Sequence, residues 1–105
     1  MFLARVQGQV VASQKDAAMA GMKLLIVEPL RVNYTEGGGG AFEVTGRAIV
    51  AVDRIGAGVG QVVLIVQGSS ARMAGDCNKM PIDAAVVGLV DEAHVKGKKL
   101  ELGKV

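Results

Sequence analysis

Residues 53–72 read Asp-Arg-Ile-Gly-Ala-Gly-Val-Gly-Gln-Val-Val-Leu-Ile-Val-Gln-Gly-Ser-Ser-Ala-Arg, and this stretch decides the fold. Its first part alternates Gly56, Gly58 and Gly60 with Ala57 and Val59. Its middle part, Val62 to Val66, is a short apolar run rich in β-branched side chains and closed by Gln67 and Gly68. That pattern predicts a buried β-strand. In its last part, Gly68-Ser69-Ser70 precedes the good helix formers Ala71 to Ala74. A serine oxygen accepts a hydrogen bond from a free N–H of a first helical turn, so a short helix is expected from Ser69 to about Gly75, where glycine makes a good C-terminal cap.

The glycines have two readings. Spaced by two in extended chain, they leave one face without side chains, permit positive φ and let another backbone come close. A glycine-rich loop also suggests phosphate binding. The dinucleotide fingerprint needs a third glycine three residues after the second and follows a strand. Here residue 61 is Gln, and the loop precedes its strand. Gly-Lys-Ser/Thr, which a P-loop requires, occurs nowhere. Close backbone packing is therefore the expected role.

Outward from this stretch, residues 2–12 alternate. Arg5, Gln7 and Gln9 fall on one side; Ala4, Val6, Gly8 and Val10 fall on the other, which predicts a half-buried strand. Residues 13–22 read as a connector with Met19 and Met22 as gap-fillers. Lys23 to Val27 begins a second strand, and Pro29, which lacks an N–H, marks a sheet edge, a bulge or the strand's end. Residues 33–41 are expected to be a mobile loop, since ordering Gly37 to Gly40 costs much backbone entropy. Tyr34 and Phe42 flank it. Arg47 to Val52 is the third expected strand, Val62 to Val66 the fourth and Ala84 to Val90 the fifth. Lys96-Gly97-Lys98-Lys99, between Val95 and Leu100, reads as a hairpin turn. The expected fold is mainly β: one domain over residues 1–105, a small five-stranded OB-like closed β-barrel with one short helix after the fourth strand and a C-terminal hairpin. No segment has the length and 3.6-residue period of a bundle helix.

Composition bounds the function. The chain has 105 residues, half of them apolar, yet only two Phe, one Tyr and no Trp, with 15 Gly. A chain of this size buries about two thirds of its unfolded surface. With so few large anchors, part of the apolar surface is expected to be buried between subunits. The net charge of +2 gives no compositional argument for nucleic acid. The single cysteine, Cys77, cannot form an internal disulfide or a zinc site by itself and suits a reducing, cytoplasmic setting. No apolar segment approaches the ~18 residues of a membrane span, and no signal-peptide pattern follows Met1, so no membrane partner is expected.

Candidate chemistry is sparse. His94 is the only histidine, and nothing in the sequence places it beside Cys77 as a base for a nucleophile. Gly68-Ser69-Ser70-Ala71-Arg72 lacks the closing glycine of a nucleophile elbow, so Ser70 reads as a helix cap. Asp53, Asp83 and Asp91 lie at strand ends. They read as caps that bond local N–H groups rather than as a metal cluster. Lys96, Lys98, Lys99 and Lys104 make a basic end. Single-stranded nucleic acid would need several aromatics among them; a solvated turn or a contact to an acidic surface is preferred. No catalytic, cofactor-binding or metal-binding residues are identified, and an enzyme is not expected.

Asp53…Gly56-Ala57-Gly58-Val59-Gly60, the apolar strand, and Gly68-Ser69-Ser70-Ala71-Arg72 together resemble the signature of the EutN/CcmL family, the pentameric vertex proteins of bacterial microcompartment shells. Ala4 to Ser13 resembles that family's opening strand, Gly21 to Val27 its second and Pro81 to Asp91 its last core strand. The departure lies at Asn33 to Thr45, a longer connection than expected. The resemblance implies a structural protein, cytoplasmic and in the shell. It would form homopentamers that cap polyhedral vertices among hexameric shell proteins. It also implies that subunit contacts or the central opening draw on Asp53, Gly56, Ala57, Gly58, Val59, Gly60, Ser69, Ser70 and Arg72. For Arg72 composition leaves open a charged contact across a subunit boundary and a side chain lying over the barrel; the resemblance favours the boundary. The alternative is an OB-type module for single-stranded nucleic acid. Because Gln61 breaks the fingerprint, calorimetry with ATP and with NAD is expected to show no micromolar binding of either.

Overall fold

The alternation at the start of the chain becomes strand β1 (Phe2–Val10), with Ala4 and Val6 fully buried. The computed structural model describes residues 1–12, 21–68, 71 and 82–102. Within them follow β2 (Lys23–Tyr34), β3 (Gly40–Val44), β4 (Ile49–Asp53), β5 (Val62–Gln67), β6 (Ala84–Leu89), β7 (His94–Val95) and β8 (Lys98–Glu101). Five strands, the five expected from sequence, pair in a ring: β1–β5–β6–β4–β2, closed by β2 on β1. All these pairs are antiparallel except β4 with β6. Of the expected helix from Ser69 to Gly75, only Ala71 lies within the described residues, and it is fully buried.

Small side chains make the ring possible. Its core is Ala4, Val6, Leu25, Val27, Ala51, Ala57, Val63, Ile65, Ala84 and Val86, with Phe2 and Ile49 packed at its margin. Five strands enclose little volume, and a core of Ala and Val fills it without strain. Two irregularities bend the strands. Val6 pairs with Val27 but Gly8 with Ile26, so Gln7 is an extra residue. A second shift falls between Leu64 and Ile65 against β6. Such bulges raise local twist and help a narrow ring to close.

β2 belongs to two sheets. Its rungs to β4 end at Val27↔Ile49. Its rungs to β3 begin at Leu30↔Val44. Pro29 stands where one edge of β2 changes from β4 to β3, while on the other edge it lies opposite Ala4 of β1; its carbonyl accepts from Thr45 N at 3.1 Å and Thr45 Oγ1 at 2.9 Å. The strand therefore runs through the proline instead of stopping there.

The loop expected over residues 33–41 is instead the turn of a β2–β3 hairpin. Asn33↔Ala41 and Tyr34↔Gly40 are its last rungs. Gly38 N donates to Thr35 O at 3.0 Å and Gly39 N to Val95 O at 2.9 Å. β8 lies parallel to β3 through Gly40↔Leu100 and Ala41↔Glu101. β7 and β8 form the expected C-terminal hairpin, turning at Lys96 and Gly97, both at positive φ. These four segments form an arm that leaves the ring along β2. The expected third strand is shifted as well: it starts at Ile49 rather than Arg47 and ends at Asp53.

Gly40 decides whether the arm forms. Its φ is +136°, and a Cβ there would sit 2.1 Å from Asn33 O, a backbone atom that cannot step aside. Gly40→Ala is expected to cost roughly 2–3 kcal/mol. Faster amide exchange at Phe42 and Leu100, with Val63 still protected, would place that cost in the arm.

Candidate functional site

The loop after β4 is held by one carboxylate. Asp53 ends β4 pointing inward, and its side chain is wholly shielded from solvent. Oδ1 accepts from Ile55 N at 2.9 Å and Gly56 N at 3.1 Å; Oδ2 accepts from Ala57 N at 2.8 Å. Aspartate is short enough to bond its own backbone a few residues on, and an ionised oxygen makes such bonds roughly twice as strong as a neutral one. Lys23, the first residue of β2, closes the charge. Its Nζ lies 3.6 Å from Asp53 Oδ2 and donates to Ala57 O at 3.0 Å.

The far end of the loop is pinned to β1. Gly60 N donates to Val6 O at 2.8 Å and Val6 N to Gln61 O at 2.9 Å. Arg5 Nη1 donates to Gly60 O at 2.7 Å, while its Nη2 donates to Leu102 O near the other end of the chain. Gln61 clips the middle: its Oε1 accepts from Gly58 N at 2.6 Å, and its own N donates to Gly58 O at 3.2 Å. The residue that breaks the dinucleotide fingerprint thus ties the loop to itself. A phosphate cradle offers free N–H groups. Here the N–H groups of Ile55, Gly56, Ala57, Gly58, Gly60 and Gln61 all have partners within the chain.

Between its anchors the loop is two-sided. Ala57 is 1% exposed and enters the ring's core. Ile55 and Val59 face solvent at 45% and 63% exposure. Gly56 has φ +98°, which favours glycine. Gly58 has no such constraint, and a Cβ there would meet only Gln61 Oε1 at 3.6 Å. At Gly56 it would meet nothing within 4 Å. Among the described residues, the expected close approach of another backbone is therefore not seen at either position. What the glycines leave is an open, rigidly held surface edged by two exposed aliphatic side chains.

The structure brings Asp53, Gly56, Ala57, Gly58, Val59 and Gly60 into this one loop; Ser69, Ser70 and Arg72 lie outside the described residues. Sequence reasoning missed Arg5, Lys23 and Gln61 as its clamps. Arg5 stood on the polar side of an alternating strand and gave no signal beyond that. Asp83 and Asp91 are exposed and take no part. Among the described residues no group of three or more His, Cys, Asp or Glu is placed to hold a metal ion. His94 is exposed and 3.0 Å from Glu92 Oε2; that bond, with Lys99 nearby, holds the Glu92 carboxyl below its ordinary range. Cys77 is outside the described residues.

The profile of the family described as "Ethanolamine utilisation protein EutN/carboxysome" matches residues 1–91. The carboxysome shell vertex protein CcmL of Synechococcus elongatus is 38% identical over 100 residues, covering 95% of this chain and 93% of that protein. The microcompartment shell vertex protein PduN of Salmonella typhimurium is 48% identical over 91 residues, 87% of this chain and 96% of that one. The structure of GrpN, a pentameric microcompartment shell protein from Rhodospirillum rubrum, superposes with TM-score 0.69 at 41% identity, covering 87% and 94% of the two chains.

Removing the carboxylate tests the loop's anchor. Asp53→Ala strands three N–H groups at once and is expected to lower stability by about 3 kcal/mol. Asp53→Asn keeps one oxygen and is expected to cost less. Urea unfolding of both variants measures the difference.

Proposed function

This chain belongs to the EutN/CcmL family, and on that premise we propose that it is a structural subunit of a bacterial microcompartment shell, five copies of which form a ring at a shell vertex. The observation that supports this reading most is the loop from Asp53 to Gln61. It is braced at both ends, yet it turns Ile55, Val59 and the open sides of Gly56 and Gly58 to solvent. A protein that spends a buried carboxylate and an arginine on fixing an exposed, partly apolar surface fixes it for a partner. In the proposed ring that partner is the adjacent subunit.

Function here is geometry. A flat sheet of hexagonal tiles cannot close on itself, and five-fold units supply the curvature. We place the protein in the shell, within the cytoplasm, beside hexameric tiles, with no catalytic turnover and no cofactor. The five-strand ring serves as an OB-like closed barrel, and residues 1–105 act as one domain. Asp53 and Gly56 to Gly60, with Ser69, Ser70 and Arg72, are assigned to subunit contacts or to the edge of the central opening. The nucleic-acid alternative is weaker. It needs several exposed stacking rings, and only Tyr34 is strongly exposed, while Phe2 and Phe42 are partly buried.

Native mass spectrometry is expected to give five subunits; a stable monomer at micromolar concentration would overturn the assignment. Gly58→Val probes the loop separately. Within one chain the new side chain has room, so the far-UV spectrum should stay β-like. At an interface a cost of ~1 kcal/mol per contact recurs around the ring and shifts the protein towards monomer. Intact pentamers with unchanged melting temperature would remove the loop from the contact.

A further inference from the structure

The ring has a second mouth, at the far end from the braced loop. β4 runs from Ile49 at this mouth to Asp53 at the loop, four steps of about 3.3 Å, or some 13 Å. The mouth holds a cavity of about 220 Å³ lined by Phe2, Pro29, Arg47, Ile49 and Gln67. Its apolar side is anchored: Phe2 and Ile49 pack on the ring's core and, like Pro29, are half-buried. Its polar side is exposed, yet both residues there stand on pinned backbone. Before Arg47, Thr45 is tied to Pro29 O by its N–H and its hydroxyl, and Gly46 N donates to Glu28 Oε2 at 2.6 Å. Just past Gln67, Gly68 N donates to Asp83 O at 2.7 Å. Four arginines lie within the described residues. Arg5 bonds two carbonyls, Arg31 pairs with Glu43, and Arg54 is likewise engaged. Among them Arg47 alone makes no hydrogen bond or ion pair. Glu28, the acid bound to the same turn, is taken by Gly46 N and Gln7 Nε2. The Gln67 amide also has no partner among the described residues.

We propose that this cavity binds a small carboxylate with a short hydrocarbon tail. The Arg47 guanidinium offers two parallel N–H groups to the two carboxylate oxygens, a pairing stronger than that of neutral groups. The Gln67 amide adds an N–H donor. Phe2, Pro29 and Ile49 take the tail, whose burial removes apolar surface from water. Size fits. A cavity of roughly 150 Å³ takes the six carbons of benzene, so the space here admits a carboxylate with a tail of about three or four carbons. Charge fits as well. One arginine and one neutral amide match a single negative charge. A dianion such as phosphate would bring a second charge against apolar walls, which is costly. The site lies at the mouth away from the Asp53 loop, and it does not rest on the pentamer reading.

The test uses the full chain and sodium butyrate as the probe. The Ile49 methyl and Phe2 ring resonances and the Arg47 Nε–H are followed by NMR through a titration at constant ionic strength, balanced with sodium chloride. Saturable shifts confined to these residues are expected, in the millimolar range natural to so small a ligand. Butyramide, the neutral isostere, should bind about tenfold more weakly. Acetate, which lacks the tail, should also bind more weakly than butyrate. Arg47→Met should abolish the shifts, and Gln67→Ala should weaken binding severalfold. Both positions are exposed, so circular dichroism should show the fold unchanged, and sedimentation should give Arg47→Met the oligomeric state of the wild type. Shifts that grow without saturation, survive Arg47→Met, or are equalled by butyramide or inorganic phosphate overturn the site. So does an Arg47→Met variant that folds but changes its oligomeric state, which gives Arg47 to a subunit contact. A wild type that is not pentameric but binds butyrate through Arg47 overturns the ring and leaves this site standing.

Discussion

The structure depends on one buried charge. Asp53 holds three consecutive N–H groups of the loop that closes one mouth of the ring, and Lys23 balances it from the start of β2. An uncompensated carboxylate in that position would be strongly destabilising. Compensated, it converts a glycine-rich segment, the part of the chain with most backbone freedom to lose, into a fixed surface. Ala57 can then seat in the core and Val59 can be held outward. The ring needs the stopper, and the proposed interface needs the surface. Both hang on the same two oxygens.

The rest of the scaffold follows from small side chains. Val and Ala inside let five strands close. Residues such as Leu24, Ile26, Val50 and Leu64 occupy the alternate, outward positions on the same strands. Some of that outer surface is covered locally, as where Val52 packs with Met22, Leu24 and Ile82. Val50 and Leu89 remain 49% and 41% exposed. A chain with few aromatics and apolar residues on both sides of its strands has reason to associate, and this agrees with the pentameric relative described above.

Much of this was legible in the sequence, because it was written in local patterns. Period-two alternation and short β-branched runs marked all five ring strands, and Lys96-Gly97 marked its hairpin. Asp53 was read as a former of local backbone bonds, which it is. Local rules say less about Pro29 and Gly37 to Gly40. Pro29 fits a sheet edge, a bulge or a strand end, and it falls where one edge of β2 changes from β4 to β3. Gly40, expected in a loop, opens β3, where a carbonyl leaves no room for a Cβ. Arg5, Lys23 and Gln61 act on partners set by the ring's closure, which no window of sequence displays. At Gly58 the expected crowding is not seen among the described residues.

Arg5 bonds Gly60 and Leu102, residues 55 and 97 positions further along the chain. β1 is made before its partners: one of its edges waits for β5, and its arginine waits for Leu102. During synthesis that edge stands open, the condition that invites pairing with the wrong chain. The extra residue at Gln7, the glycine beside it and the run of Arg5, Gln7 and Gln9 make β1 a poor template for such pairing. The features that bend the ring shut thus also guard it while it is unfinished.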